Sequence, residues 1–478
     1  MGNVLLFLMA ATMSLQIHPD AAKNFDRKGE ELFQKVIFDP HIELPQGKGF
    51  SPDIVRHEIP GEDLISLSRD SYIAGPLQKE VAKTFRLKDS VLGLFGEDYK
   101  GLVRLAESMQ SVKPLRDKVS VRFLIDSIFN WIATSHQRTD VVPMTETMLA
   151  DAERAIQEIE LWLPVAMLYV ETDIVIGRVT IKTITKEIID NYHSASIEQI
   201  QNDGHAIGSE LQDHFRTERK ELQGLAAATI KLHAEPIRAE EIAIEQALNS
   251  LAILRLYSLA NLEPELTGHC TLLGRERVEE LRTFTVQDAE IRGFHRATLS
   301  AADPAWTLDT TKIAELRRTQ GLDFLSALLI KEDRSEYEHA LVDCLLLYSE
   351  SSLAKDPVSK LVSVLVALES LLLKDSSEPI QQNLSERVAF LFSPEKRIGV
   401  KRSVIQAYGI RSRFIHHGYD IGIDEIDALR KFLLNAWAAL HGLINLTALC
   451  RTKAELFKRF EDVKMFGGDL FARRTEGK

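Results

Sequence analysis

With 478 residues the chain is longer than one hydrophobic core organises, and its length predicts two to three domains. Its 45% hydrophobic and 27% charged residues match an ordinary globular protein, while a net charge of −12 excludes a surface coated in non-specific nucleic-acid contacts. Cys270, Cys344 and Cys450 are far apart and odd in number, which excludes a disulfide framework and makes a reducing cytoplasm the expected compartment.

Val4 to Met13 (VLLFLMAATM) has the length of a signal-peptide core, but no Lys or Arg precedes it and it is too short to span a bilayer. It is expected to be a packed or disordered leader, with a start at Met13 as the alternative. No stable membrane association is expected. Residues 1–156 read as an α-rich N-terminal region. Its first 60 or so residues are expected to be loop-rich, because Pro19, Pro40, Pro45, Pro52 and Pro60 interrupt them. Apolar residues three and four apart then predict helices over LQKEVAKTF (77–85), YKGLVRLAESM (99–109) and VRFLIDSIFNWIATS (121–135).

Residues 157–305 read as a mixed α+β middle domain. LWLPVAMLYV (161–170) and DIVIGRVTIKTIT (173–185) are rich in β-branched residues, and the second alternates like a half-buried strand. A helix is predicted over 239–258, followed by short strand-like pieces at HCTLLG (269–274) and LRTFTVQ (281–287). Residues 306–478 are helical throughout: apolar-striped segments follow one another with short polar connections, the pattern of a helical bundle. The fold class expected is therefore mainly α.

The sequence has no GxxxxGK[ST] loop, no HExxH, no Cys/His quartet and no GxSxG elbow. No metal and no cofactor are expected. His136, His193, His205 and His441 are isolated and read as surface or satisfied interior residues.

One stretch stands apart. From Lys396 to Arg413 the chain carries Lys396, Arg397, Lys401, Arg402, Arg411 and Arg413 with no carboxylate, a local inversion of the overall charge. One reading is a solvated helix face near its C-terminus, where cations complement the macrodipole. The other is a phosphate site. Arginine offers a planar fork of donors, and histidine exchanges protons near neutrality, so an Arg with a His suffices for metal-free RNA cleavage through a 2′,3′-cyclic phosphate. Spacing alone does not choose: Arg334 and His339 repeat the gap between Arg411 and His416, yet sit among Glu332, Asp333, Glu336 and Glu338 and read as a solvated helix start. On a straight helix Arg411 and His416 point about 140° apart. Either the helix unwinds before Gly418, or a second copy completes the site.

Arg411, Ser412 and His416 resemble the Arg–polar–x3–His motif of HEPN domains, helical bundles that often act as metal-independent ribonucleases. Ala367 to Leu372, Ser385 to Leu391 and Tyr408 to Gly418 resemble three motifs of the ApeA-like HEPN subgroup, over about residues 310–450. The doubled histidine departs from that pattern, so His416 or His417 stands at the family position, His416 by its spacing. The resemblance implies an RNA-cleaving homodimer with a toxin-like or anti-phage role. Arg411 would hold the scissile phosphate and His416 would move protons, with His417, Ser412, Arg413, Lys401 and Arg402 supporting. It also draws in Glu369, which either orients Arg411 or pairs with Arg387, and Tyr408, which either stacks on a base or belongs to the core. Arg387 itself is a structural residue or a second phosphate contact. The alternative is a non-catalytic HEPN module that binds RNA, a nucleotide or a protein partner through the same patch.

Overall fold

The computed structural model describes residues 15–38, 70–74, 80–86, 91–136, 141–202, 208–268, 270–274, 280–287, 290–298, 306–319, 321–375, 377–417 and 421–472. The apolar leader, Met13, His205, His269 and Gly418 lie outside the described residues. The protein is mostly helical with a few small sheets. Its contacts form two compact units, one of residues 1–161 and 231–243, the other of residues 162–230 and 244–478.

The first unit opens with helix α1 (Pro19–Phe33), where a loop was expected. Pro19 lies in its first turn, where a missing N–H costs nothing, so a proline read as a breaker is here a starter. A short β1 (Ile37–Phe38) joins β2 (Asp70–Ala74), β3 (Glu80–Arg86) and β4 (Val91–Phe95) in an antiparallel sheet of order β1-β4-β3-β2. The helix expected over 77–85 is thus overturned from Glu80 on, where β3 runs; residues 77–79 lie outside the described residues. Ala82 to Arg86 pair with Phe95 to Val91 of β4, and this cross-strand pairing outweighs a weak three-to-four spacing. Helices α2 (Gly96–Gln110), α3 (Lys113–Arg116), α4 (Val121–Ser135) and α5 (Met144–Ala155) follow. Leu102, Leu105, Met109, Leu124, Ile128, Phe129, Ile132 and Met148 form its core with α1, as the helical spacing predicts. Burying one such side chain contributes about 1.5–3 kcal/mol.

In the second unit the β-branched stretches form β5 (Gln157–Pro164), β6 (Leu168–Val170), β7 (Ile174–Ile176) and β8 (Val179–Thr183). DIVIGRVTIKTIT is a hairpin rather than one strand, because Gly177 turns the chain with a φ of +61°. After α6 (Lys186–Asn202) and α7 (Ser209–Leu222), β9 (Ala226–Ala234) completes a sheet of order β5-β9-β8-β7. Helix α8 (Pro236–Arg255) comes next; β5, β9 and α8 carry residues of both units. The hairpin β10 (Glu280–Gln287) and β11 (Glu290–Thr298) precedes β12 (Trp306–Leu308), which pairs in parallel with β6.

The remainder is helical: α9 (Thr310–Thr319), α10 (Leu322–Ile330), α11 (Glu336–Glu350), α12 (Pro357–Leu372), α13 (Ile380–Phe390), α14 (Pro394–His417), α15 (Ile423–Asn445) and α16 (Lys453–Phe466). Leu361, Val364, Leu365, Leu368 and Leu371 of α12 are buried, as are Leu429, Phe432, Leu433, Ala436 and Leu440 of α15. Helix α14 packs against α12, α13 and α15. Among the described residues no single helix is long and apolar enough to cross a membrane.

Polar groups pin this unit as well. Lys360, wholly buried on α12, donates to the carbonyls of Ala260, Glu263 and Leu266 at 2.6, 2.7 and 2.5 Å. The Tyr337 hydroxyl donates to the Leu443 carbonyl at 2.7 Å and ties α11 to α15.

Candidate active site

Three helices position the side chains that the sequence singled out. The facing helix α12 contributes Glu369, α13 contributes Arg387, and α14 carries the basic series and the histidines. Because α14 is one continuous helix through His417, Arg411 and His416 leave it about 140° apart. The unwinding that would bring them to one face does not occur over the described residues.

Arg411 is about one-third exposed, and its Nη1 lies 3.6 Å from Glu369 Oε1. Tyr408, one turn earlier, donates its hydroxyl to the same carboxylate oxygen at 2.5 Å, and its ring lies 5.9 Å from the guanidinium carbon. Of the two partners open to Glu369, the structure selects Arg411. Burial, and then the hydrogen bond to Glu369, push the Tyr408 hydroxyl pKa above its ordinary range, so it stays a donor. The Arg411 Nε is buried and has no hydrogen-bond partner. The Glu369 carboxylate and the Tyr408 ring thus neighbour the guanidinium, while about a third of the Arg411 side chain remains exposed.

Arg387 is placed elsewhere. It makes a two-pronged bond to Glu378, 2.7 Å on each arm, and a 2.7 Å bond to the Leu372 carbonyl, and it lies 4.7 Å over the Phe457 ring. These contacts close the turn between α12 and α13, and they account for its place in an apolar helix without any phosphate.

His416 sits on the last turn of α14 and is exposed, as are Ser412 and Arg402. His417 ends the helix backbone, and its side chain lies outside the described residues. Arg413 is bonded to Glu425 in the first turn of α15, whose carboxyl that bond holds below its ordinary range. Lys401 donates to Glu386 at 3.0 Å, and Lys464 of α16 donates to the other oxygen of the same carboxylate at 2.8 Å.

The basic stretch therefore contains no carboxylate of its own but meets three from neighbouring helices. Glu369, Glu386 and Glu425 were not legible as its partners, although Glu369 was drawn in by resemblance. No spacing rule links residues on different helices. The Arg334–His339 copy behaves as expected: Ser335 caps α11 through a reciprocal bond with Glu338, and His339 is an exposed first-turn residue.

Among the other described histidines, His193 is buried, His136 and His441 are partly buried, and His18, His214 and His233 are exposed. His193 stacks on Phe215 and its Nε2 lies 3.3 Å from Glu218. Burial lowers the pKa of both His136, stacked on Phe33, and His441, packed edge-on against Trp437. Comparison with family models, with curated proteins and with solved structures finds no match for this chain.

Proposed function

We propose that the protein is an endoribonuclease of the HEPN type, working without a metal and as a homodimer, with a toxin-like or anti-phage role. The observation that carries this reading is the Tyr408–Glu369–Arg411 set beside an exposed His416 on the same helix. A guanidinium paired with a carboxylate that a phenol in turn hydrogen-bonds is oriented before substrate arrives, which lowers the cost of positioning a scissile phosphate. An exposed imidazole can exchange protons with a ribose 2′-hydroxyl or a leaving oxygen.

Because the two groups leave α14 on different sides, each cleft is completed by His416 of a second copy. Helix α14 presents Ile405, Phe414 and Ile415 to solvent, an apolar contribution to such a contact. Ser412, Arg402 and Lys401 would line the approach of the RNA backbone.

Purified protein should cut RNA in EDTA and leave cyclic-phosphate ends. Arg411→Ala and His416→Ala should each abolish cutting, and His417→Ala tests the neighbouring ring. Equal cleavage by the Arg411 and His416 variants sinks the assignment. A second reading rests on the carboxylates facing Lys401, Arg411 and Arg413, which offset much of the patch's charge. It makes the protein a non-catalytic HEPN module, and it predicts salt-sensitive binding without any cut product.

A further inference from the structure

Beyond Arg411 and His416, α14 borders a cleft of about 280 Å³ that it shares with α13 and α16. Ala389, Phe390, Ile398 and Val463 form its apolar lining, and Arg397, Lys401 and Lys464 stand around it with Glu386. We infer that this cleft is a single-stranded RNA subsite. It would take one nucleotide of the strand being cut, the base against Phe390, Arg397 and Ile398 and the phosphate against the two lysines. The inference rests on the ribonuclease reading and adds to it where the strand leaves the reacting bond.

Charge supports an anionic occupant. Three cations face one carboxylate, a local excess of positive charge in a chain carrying −12. Each lysine ammonium has three donors, and the contacts to Glu386 engage one on each. Arg397 donates to the carbonyls of Phe392 and Gly468, both neutral acceptors, and its charge also acts on the exposed Glu395. Glu386 stays ionised, because the bonds from Lys464 and Lys401 hold its pKa below the ordinary range. It therefore aligns the two ammonium groups while tempering their pull.

Shape and position narrow the occupant to a nucleotide. The Arg397 guanidinium carbon lies 5.5 Å over the Phe390 ring, and a base can continue that stack because aromatic faces and guanidinium planes both receive bases. Ile398 is 74% exposed, an apolar side chain left at the mouth of the cleft. Along α14, Lys401 lies ten residues before Arg411, about 15 Å of helix and a few nucleotides of extended strand. Around the axis it falls between the two reacting groups, about 80° from Arg411 and about 60° from His416. A strand held in the cleft thus continues toward Arg411 of the same chain, where His416 of the second copy completes the site.

The test measures fluorescence anisotropy of a fluorescein-labelled single-stranded 12-mer RNA on full-length His416→Ala protein, which binds without cutting. Adding Lys464→Glu should weaken binding about tenfold and flatten its salt dependence by roughly the share of one phosphate contact. Adding Glu386→Gln should tighten binding several-fold, an opposite shift that misfolding does not produce. If wild type cuts RNA but neither substitution moves affinity, the cleft is not an RNA subsite. If wild type neither binds nor cuts RNA, the ribonuclease reading fails and the subsite falls with it.

Discussion

Glu369 and Arg411 approach within 3.6 Å across the α12–α14 contact, with the Tyr408 hydroxyl on the same carboxylate oxygen. The carboxylate counterbalances the arginine and also sets its direction, and the two roles separate on substitution. Glu369→Gln keeps an acceptor for Tyr408 but removes the charge. Under the ribonuclease reading kcat should fall about tenfold while KM for RNA stays level or drops. A KM that rises with an unchanged kcat would show that Glu369 does not position Arg411.

Tyr408→Phe separates ring from hydroxyl. The ring stays, so any base-stacking role survives, while a hydrogen bond to a charged acceptor is lost. Stability should drop by about 1–2 kcal/mol, read from urea denaturation. RNA affinity should stay the same, since the hydroxyl points to Glu369 and not to solvent; a large loss of affinity would assign it to the substrate.

The Arg387–Glu378 pair gives a pH signature. Hydrogen bonding by Arg387 holds the Glu378 carboxyl down to about 2, from an ordinary 4.5, against the opposing effect of burial. A carboxyl depressed in the folded state stabilises fully above its unfolded pKa, and that stability drains away as pH falls from about 4.5 toward 2. Arg387→Ala should cost about 3 kcal/mol at pH 7, because it strands a half-buried charge. The gap between variant and wild type should then narrow between pH 4.5 and 3. A gap that stays constant over that range would show that the pair is not the source.

Lys360 is the strongest structural candidate among the buried cations. Lys360→Met keeps the stem and leaves the carbonyls of Ala260, Glu263 and Leu266 without their donor. The expected loss is about 3 kcal/mol or more, measured by thermal or urea unfolding. A near-neutral outcome would mean that water replaces the ammonium.

By itself the sequence determined the helices of α12 and α15, because their apolar residues recur with the helical period and nothing else satisfies that pattern. It also placed Arg411 and His416 on one helix, but their divergence followed only once α14 was seen to run unbroken through His417. It misread residues 80–85, where pairing with β2 and β4 gives a strand, and 19–33, where Pro19 starts a helix. Tertiary structure alone decided the electrostatic character of the basic stretch. Coulomb energy depends on separation in space, and Glu369, Glu386 and Glu425 reach Arg411, Lys401 and Arg413 only because α12, α13 and α15 pack against α14. The same packing sent Arg387 to Glu378 and left Glu369 to Arg411.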